Sequence, residues 1–71
     1  MIDKTQQTEK PFQIGELVFF YSHPEYGLHI MLELLWNERL ERWTAKVLSQ
    51  RTGEIEHTSA LRLDPAEWMN D

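Results

Sequence analysis

Leu28-His29-Ile30-Met31-Leu32-Glu33-Leu34-Leu35-Trp36 is the stretch on which the fold turns. Leu, Met and Glu are good helix formers, so composition alone would allow a helix. The spacing argues otherwise. Leu28, Ile30, Leu32, Leu34 and Trp36 recur at period two, with His29, Met31, Glu33 and Leu35 between them, and strict alternation marks a strand with one buried face. The even-numbered series is assigned to the core.

Working outward, residues 16–21, Glu-Leu-Val-Phe-Phe-Tyr, are rich in aromatic and aliphatic side chains and read as the first strand. Ser22-His23-Pro24-Glu25-Tyr26-Gly27 joins it to the second. There Pro24 presets φ and Gly27 can take a positive φ, so the chain reverses. After Asn37-Glu38-Arg39-Leu40, a polar turn, Trp43, Ala45 and Val47 alternate with Arg42, Thr44 and Lys46 as strand three. Ser49-Gln50-Arg51-Thr52-Gly53 closes the next hairpin, and residues 54–58 form strand four with Ile55 on the core face.

Setting Val47 opposite Ile55, and Trp36 opposite Trp43, fixes a register in which Glu33, Lys46 and Glu56 form one outer row. A 3₁₀ turn is expected at residues 59–61 and a last strand at Arg62-Leu63. Asp64-Pro65-Ala66-Glu67 has the form of a helix start, with Asp64 as N-cap and Pro65 at the first position. Trp68 beyond it is expected to fold back onto the sheet. Residues 1–11 are polar and without apolar periodicity, and so are expected to be a flexible tail. The organisation is then 1–11 tail, 12–64 barrel and 65–71 C-terminal turn.

The whole reads as all-β, a small five-stranded barrel of one domain in 71 residues. With no cysteine, disulfides and thiolate metal sites are excluded. The apolar runs at residues 17–21 and 30–32 fall far short of a bilayer span, and the first five residues carry no signal-peptide pattern. The expectation is a cytoplasmic or virion-associated protein that does not enter a membrane. The net charge of −5, from 12 acidic against 7 basic residues, disfavours nucleic acid as a partner.

Five short strands, a long first loop, two hairpins and a 3₁₀ turn before the last strand resemble the SH3-like barrel over residues 12–63. Ile14-Gly15-Glu16-Leu17-Val18, then Pro24-Glu25-Tyr26-Gly27, then Ile30-Met31-Leu32-Glu33, is similar to the opening of Tudor, KOW and CarD-like modules. It also resembles small single-barrel accessory proteins of tailed bacteriophages. His29 stands where those modules commonly have a second glycine. The Ala-Leu-Tyr-Asp-Tyr motif of signalling SH3 domains is missing.

No motif supports catalysis or a cofactor. His23, His29 and His57 are far apart in sequence and lack the spacing of metal ligands. Ser22 beside His23, and Ser59 near His57, come with no nucleophile elbow or oxyanion hole. The aromatic residues are the better lead, because Phe12, Phe19, Phe20, Tyr21, Tyr26, Trp36, Trp43 and Trp68 exceed what one small barrel encloses. Parity with Ile14 puts Val18 and Phe20 inside, which leaves Phe19 and Tyr21 outward or under the first loop. The expected contact surface is therefore Phe19, Tyr21, Tyr26 and Trp36, flanked by Glu25 and Arg39.

The leading expectation is a non-enzymatic protein-interaction module, and the phage resemblance implies docking on a host or viral assembly. The CarD-like opening implies as an alternative a transcription-type adaptor that pairs a strand edge with RNA polymerase. Aromatics near Arg39 and Arg42 leave open a nucleic-acid-binding barrel, and surplus apolar surface leaves open a self-associating homo-oligomer.

Overall fold

The computed structural model describes residues 10–70. Five strands form: β1 (Leu17–Phe20), β2 (His29–Asn37), β3 (Arg42–Ser49), β4 (Ile55–Ser59) and β5 (Leu63–Pro65). They make one antiparallel sheet in the order β4-β3-β2-β1-β5. Helical structure among the described residues is confined to 3₁₀ turns at Pro24–Tyr26, Ala60–Arg62 and Ala66–Asn70. The fold is all-β, as the alternation demands. No helix among the described residues is long and apolar enough to cross a membrane. Of the expected tail, residues 1–9 lie outside the described residues, and Phe12 already belongs to the core.

The turns follow their residues. Asn37 Oδ1 accepts the Leu40 N–H at 3.0 Å and closes the β2–β3 connection. Between β3 and β4 the Ser49 carbonyl accepts the Gly53 N–H at 2.9 Å, and Gly53 takes φ +78°, a conformation that suits glycine. Ser59 caps the second 3₁₀ turn by accepting the Leu61 N–H on its Oγ at 3.2 Å.

Strand β2 departs from strict alternation. Ile30 lies opposite Leu48 and Met31 opposite Val47, but the next pair is Glu33 with Lys46, so Leu32 is an extra residue and the strand carries a bulge. Met31 is the pivot. Its N–H donates to Glu16 O at 2.9 Å and its carbonyl accepts the Gly15 N–H at 2.7 Å, which ties β2 to the start of β1 where the bulge bends it. The bulge reverses the expected face for half the strand. Before it the odd-numbered His29 and Met31 are buried, whereas Leu28 and Ile30 are only half-buried; after it Leu34 is buried and Leu35 exposed.

The register between β3 and β4 is also corrected. Val47 pairs with Glu56 and Leu48 with Ile55. A one-residue slip exchanges the faces of a strand, and Ile55, expected in the core, is 55% exposed. The outer charge row is accordingly shorter than expected. Glu33 and Lys46 are paired, at 3.9 Å, and Trp36 faces Trp43 as expected, but Lys46 meets His57 on β4 rather than Glu56.

The core comprises Phe12, Val18, Met31, Leu34, Ala45, Val47, Ala60 and Leu63, with Phe20 and Trp43 packed against it. Successive side chains point to opposite faces of a strand, so Phe19 turns away from this cluster. It is nevertheless only 7% exposed. The last 3₁₀ turn packs against both β1 and β5. Asp64 and Pro65, expected to start a helix, instead complete β5 opposite Phe19 and Val18, and the turn begins at Ala66. Trp68 on that turn is 57% exposed, so it does not fold back as expected.

Candidate functional site: two clefts at opposite ends of one strand

The six residues expected to form one contact surface do not come together. Phe19 is buried and drops out. Tyr26 and Glu25 lie in the first loop, ahead of β2, while Trp36 lies near its far end. Seven steps along the strand, at a rise of about 3.3 Å each, separate His29 from Trp36 by up to about 23 Å. Arg39 is exposed in the β2–β3 turn, and Tyr21 is exposed just after β1, with its N–H held by the Arg62 carbonyl at 3.2 Å.

At the far end a cleft of about 200 Å³ is lined by Pro11, Trp36, Glu41, Arg42, Trp43, Ala60 and Leu61. Its floor is the cross-strand indole pair, with ring centroids 5.6 Å apart at 68°, an edge-to-face arrangement. Leu61 on the rim is 73% exposed. The buried Trp43 Nε1 has no acceptor among the described residues. Leaving such a donor unsatisfied costs about 1–3 kcal/mol. Of these lining residues only Trp36 belonged to the expected surface. The Trp36–Trp43 pairing was the available signal, but it said nothing of Leu61, whose position depends on the 3₁₀ turn.

The near-end cleft, about 250 Å³, is lined by Tyr26, His29, Ser49, Arg51, Thr52, Glu54 and Glu56. Three segments meet there. The Gln50 N–H donates to Leu28 O at 3.0 Å, and Arg51 Nη1 donates to the Glu25 carbonyl, fastening the first loop to the β3–β4 hairpin. Tyr26 stacks on His23 (4.7 Å, 13°) and meets Phe20 edge-on (6.1 Å, 75°). His23 Nδ1 lies 3.1 Å from the Glu25 carboxylate. The Glu25 carboxyl is held below the ordinary glutamate value, first by its own backbone N–H and then by the hydrogen bond with His23.

His29 at the bottom of this cleft is 1% exposed. Its Nδ1 is 3.1 Å from Gly27 O. A carbonyl only accepts, so the hydrogen sits on Nδ1. Nε2 points at Glu56 Oε2, 3.5 Å away, without a hydrogen bond. Sequence reasoning placed Glu56 in the outer charge row and His29 on the strand's outer face. Only the bulge and the one-residue shift in β4 bring them together. Among the described residues no three His, Cys, Asp or Glu side chains converge as metal ligands would.

The class that this geometry defines is a small all-β protein with an open antiparallel sheet and a cleft at either end of its central hairpin. Comparison with protein-family models, with curated proteins and with solved structures finds no match to this chain.

Proposed function

We propose that this chain is a non-enzymatic protein-interaction module on an SH3-like barrel, with the Trp36–Trp43 cleft as its contact site. The strand order and the 3₁₀ turn between β4 and β5 support the barrel reading. One observation carries the functional one: an edge-to-face indole pair beside an exposed leucine in one cleft. An apolar side chain of a partner fills the cleft against the indole pair. Buried aromatics in a desolvated pocket are the usual anchors of such contacts. The setting implied by the phage resemblance is a virion or a host assembly in the cytoplasm.

The test is affinity capture with the wild-type chain beside Leu61→Asp, a substitution at an exposed position that should not affect folding. Proteins recovered by the wild type and lost with Leu61→Asp support the site; identical recovery by both overturns it.

A second reading has its own support. Strand β4 is an edge of the sheet and carries no proline, whereas the other edge, β5, has three residues and ends in Pro65. An open edge accepts an added strand, the mode of the transcription-type adaptor. Recovery of RNA polymerase subunits that survives Leu61→Asp but is lost with Ile55→Lys favours this reading.

A further inference from the structure

The near-end cleft has an unmet requirement of definite chemistry. Its floor presents two acceptors to each other, His29 Nε2 and Glu56 Oε2, at 3.5 Å with no donor between them. The Gly27 carbonyl holds the ring hydrogen on Nδ1, so the ring cannot supply the donor from its other nitrogen without taking up a further proton. What the gap between these two atoms lacks, among the described residues, is therefore a hydrogen-bond donor.

The electrostatics point the same way. Among the described residues, Glu54 and Glu56 line the cleft against one cation, Arg51, whose Nη1 donates to the Glu25 carbonyl at the loop. A third acceptor stands nearby. Ser49 is the β3 partner of His29; its Oγ accepts the Thr52 N–H at 3.2 Å and keeps a second lone pair.

We propose that this cleft binds a primary alkylammonium group, the side chain of an exposed lysine on a protein partner. The three N–H donors of an ammonium match the Glu56 carboxylate, His29 Nε2 and Ser49 Oγ. The exposed Glu56 side chain turns aside to admit it, since Nε2 is otherwise covered. The cavity, about 250 Å³, accommodates a four-carbon stem, and the Tyr26 ring, braced by His23 and Phe20, forms a wall on which that stem and the charge can lie. The site lies at the opposite end of β2 from the tryptophan cleft and does not depend on the reading given to that cleft.

The experiment is an NMR titration of the full chain with n-butylammonium chloride, matched in ionic strength with sodium chloride, beside butyltrimethylammonium, which has the stem and charge but no N–H. Saturable shifts at His29, Ser49 and Glu56 are expected, with the trimethyl compound at least about tenfold weaker because it offers no hydrogen bond. In Glu56→Gln the side-chain amide supplies the missing donor to Nε2, so binding should be lost while the melting temperature holds or rises. Equal response to both cations overturns the proposal, as do shifts that persist in a folded Glu56→Gln. Finding the hydrogen on Nε2 of the free protein at neutral pH, by long-range ¹⁵N correlation, would also overturn it.

Discussion

The two halves of β2 behave as different strands. Before Leu32 the odd-numbered side chains His29 and Met31 turn inward; after it Leu34 does, and Trp36 is half-buried. The first half pairs with β1 on one side and β3 on the other; the second half pairs with β3 alone. One inserted residue thus lets a single strand deliver a buried imidazole to a polar cleft at one end and an indole to an apolar cleft at the other. The difference teaches that the bulge decides which β2 side chains reach the two clefts, while the loops and the 3₁₀ turn complete their walls.

Inserting one alanine between Glu33 and Leu34 is the harshest test of that comparison. Deleting Leu32 would make Met31–Val47, Glu33–Lys46 and Leu34–Ala45 consecutive pairs and keep His29, Met31, Leu34 and Trp36 on one face, whereas the insertion puts Leu34 and Trp36 on the opposite face from Met31. Losing one large core side chain costs about 2–5 kcal/mol, and a chain this size has only about 4–10 kcal/mol in total. Cooperative thermal unfolding followed by circular dichroism should disappear. An insertion variant that melts like the wild type would show that the spacing past the bulge does not set the inward face.

Next in size is the contrast between neighbours on either side of the bulge. Met31→Ala, at a fully buried position, should lower stability in urea by about 2–5 kcal/mol. Leu35→Ala, at a position more than half exposed, should change it by no more than about 0.5 kcal/mol. Equal losses would mean that the inward and outward faces are misassigned.

Gly27 tests the near-end cleft by itself. It takes φ +81° and ψ −168°, a region essentially reserved for glycine. A Cβ there would meet nothing closer than Arg51 Cδ at 4.0 Å, so the penalty of Gly27→Ala is conformational, about 1–3 kcal/mol. Because the Gly27 carbonyl holds His29 Nδ1, the His29 ring resonances should move while those of the Trp43 indole stay. Movement at both ends would show that the clefts are coupled through β2.

The smallest effect is electrostatic. His23→Ala should raise the Glu25 titration midpoint toward the ordinary value without reaching it, since the larger cause, the backbone N–H of Glu25 itself, remains. The sign follows from linkage: a carboxyl depressed in the folded state contributes stability above its unfolded value and loses it as the pH falls through the folded one. Acid unfolding of His23→Ala should therefore begin at slightly higher pH. A ¹³C-detected titration of Glu25 with no change would show that the His23 contact does not form.

Much of this molecule was legible from local chemistry. Pro24 and Gly27, Asn37, and Gly53 mark the turns because each supplies a backbone conformation or a hydrogen bond that needs no distant partner. The Trp36–Trp43 and Glu33–Lys46 pairings followed from the β2–β3 hairpin alone. Asp64-Pro65 was misleading for the same reason: its capping pattern is local, and pairing with Val18 and Phe19 overrode it. Phe19 was assigned to the surface by parity, and its burial has no local periodicity to announce it.

By itself, then, the sequence determined the all-β class, five strands and the places where the chain reverses, since alternation and turn residues act within a few positions. Which face each half of β2 buries, the shift that turns Ile55 outward, and the meeting of His29 with Glu56 were decided by tertiary structure. The physical reason is that Met31 is shared: its backbone is held by Gly15 and Glu16, just ahead of β1, while its Cα partner lies on β3. The two constraints are met together with Leu32 as the extra residue between the Met31–Val47 and Glu33–Lys46 pairs.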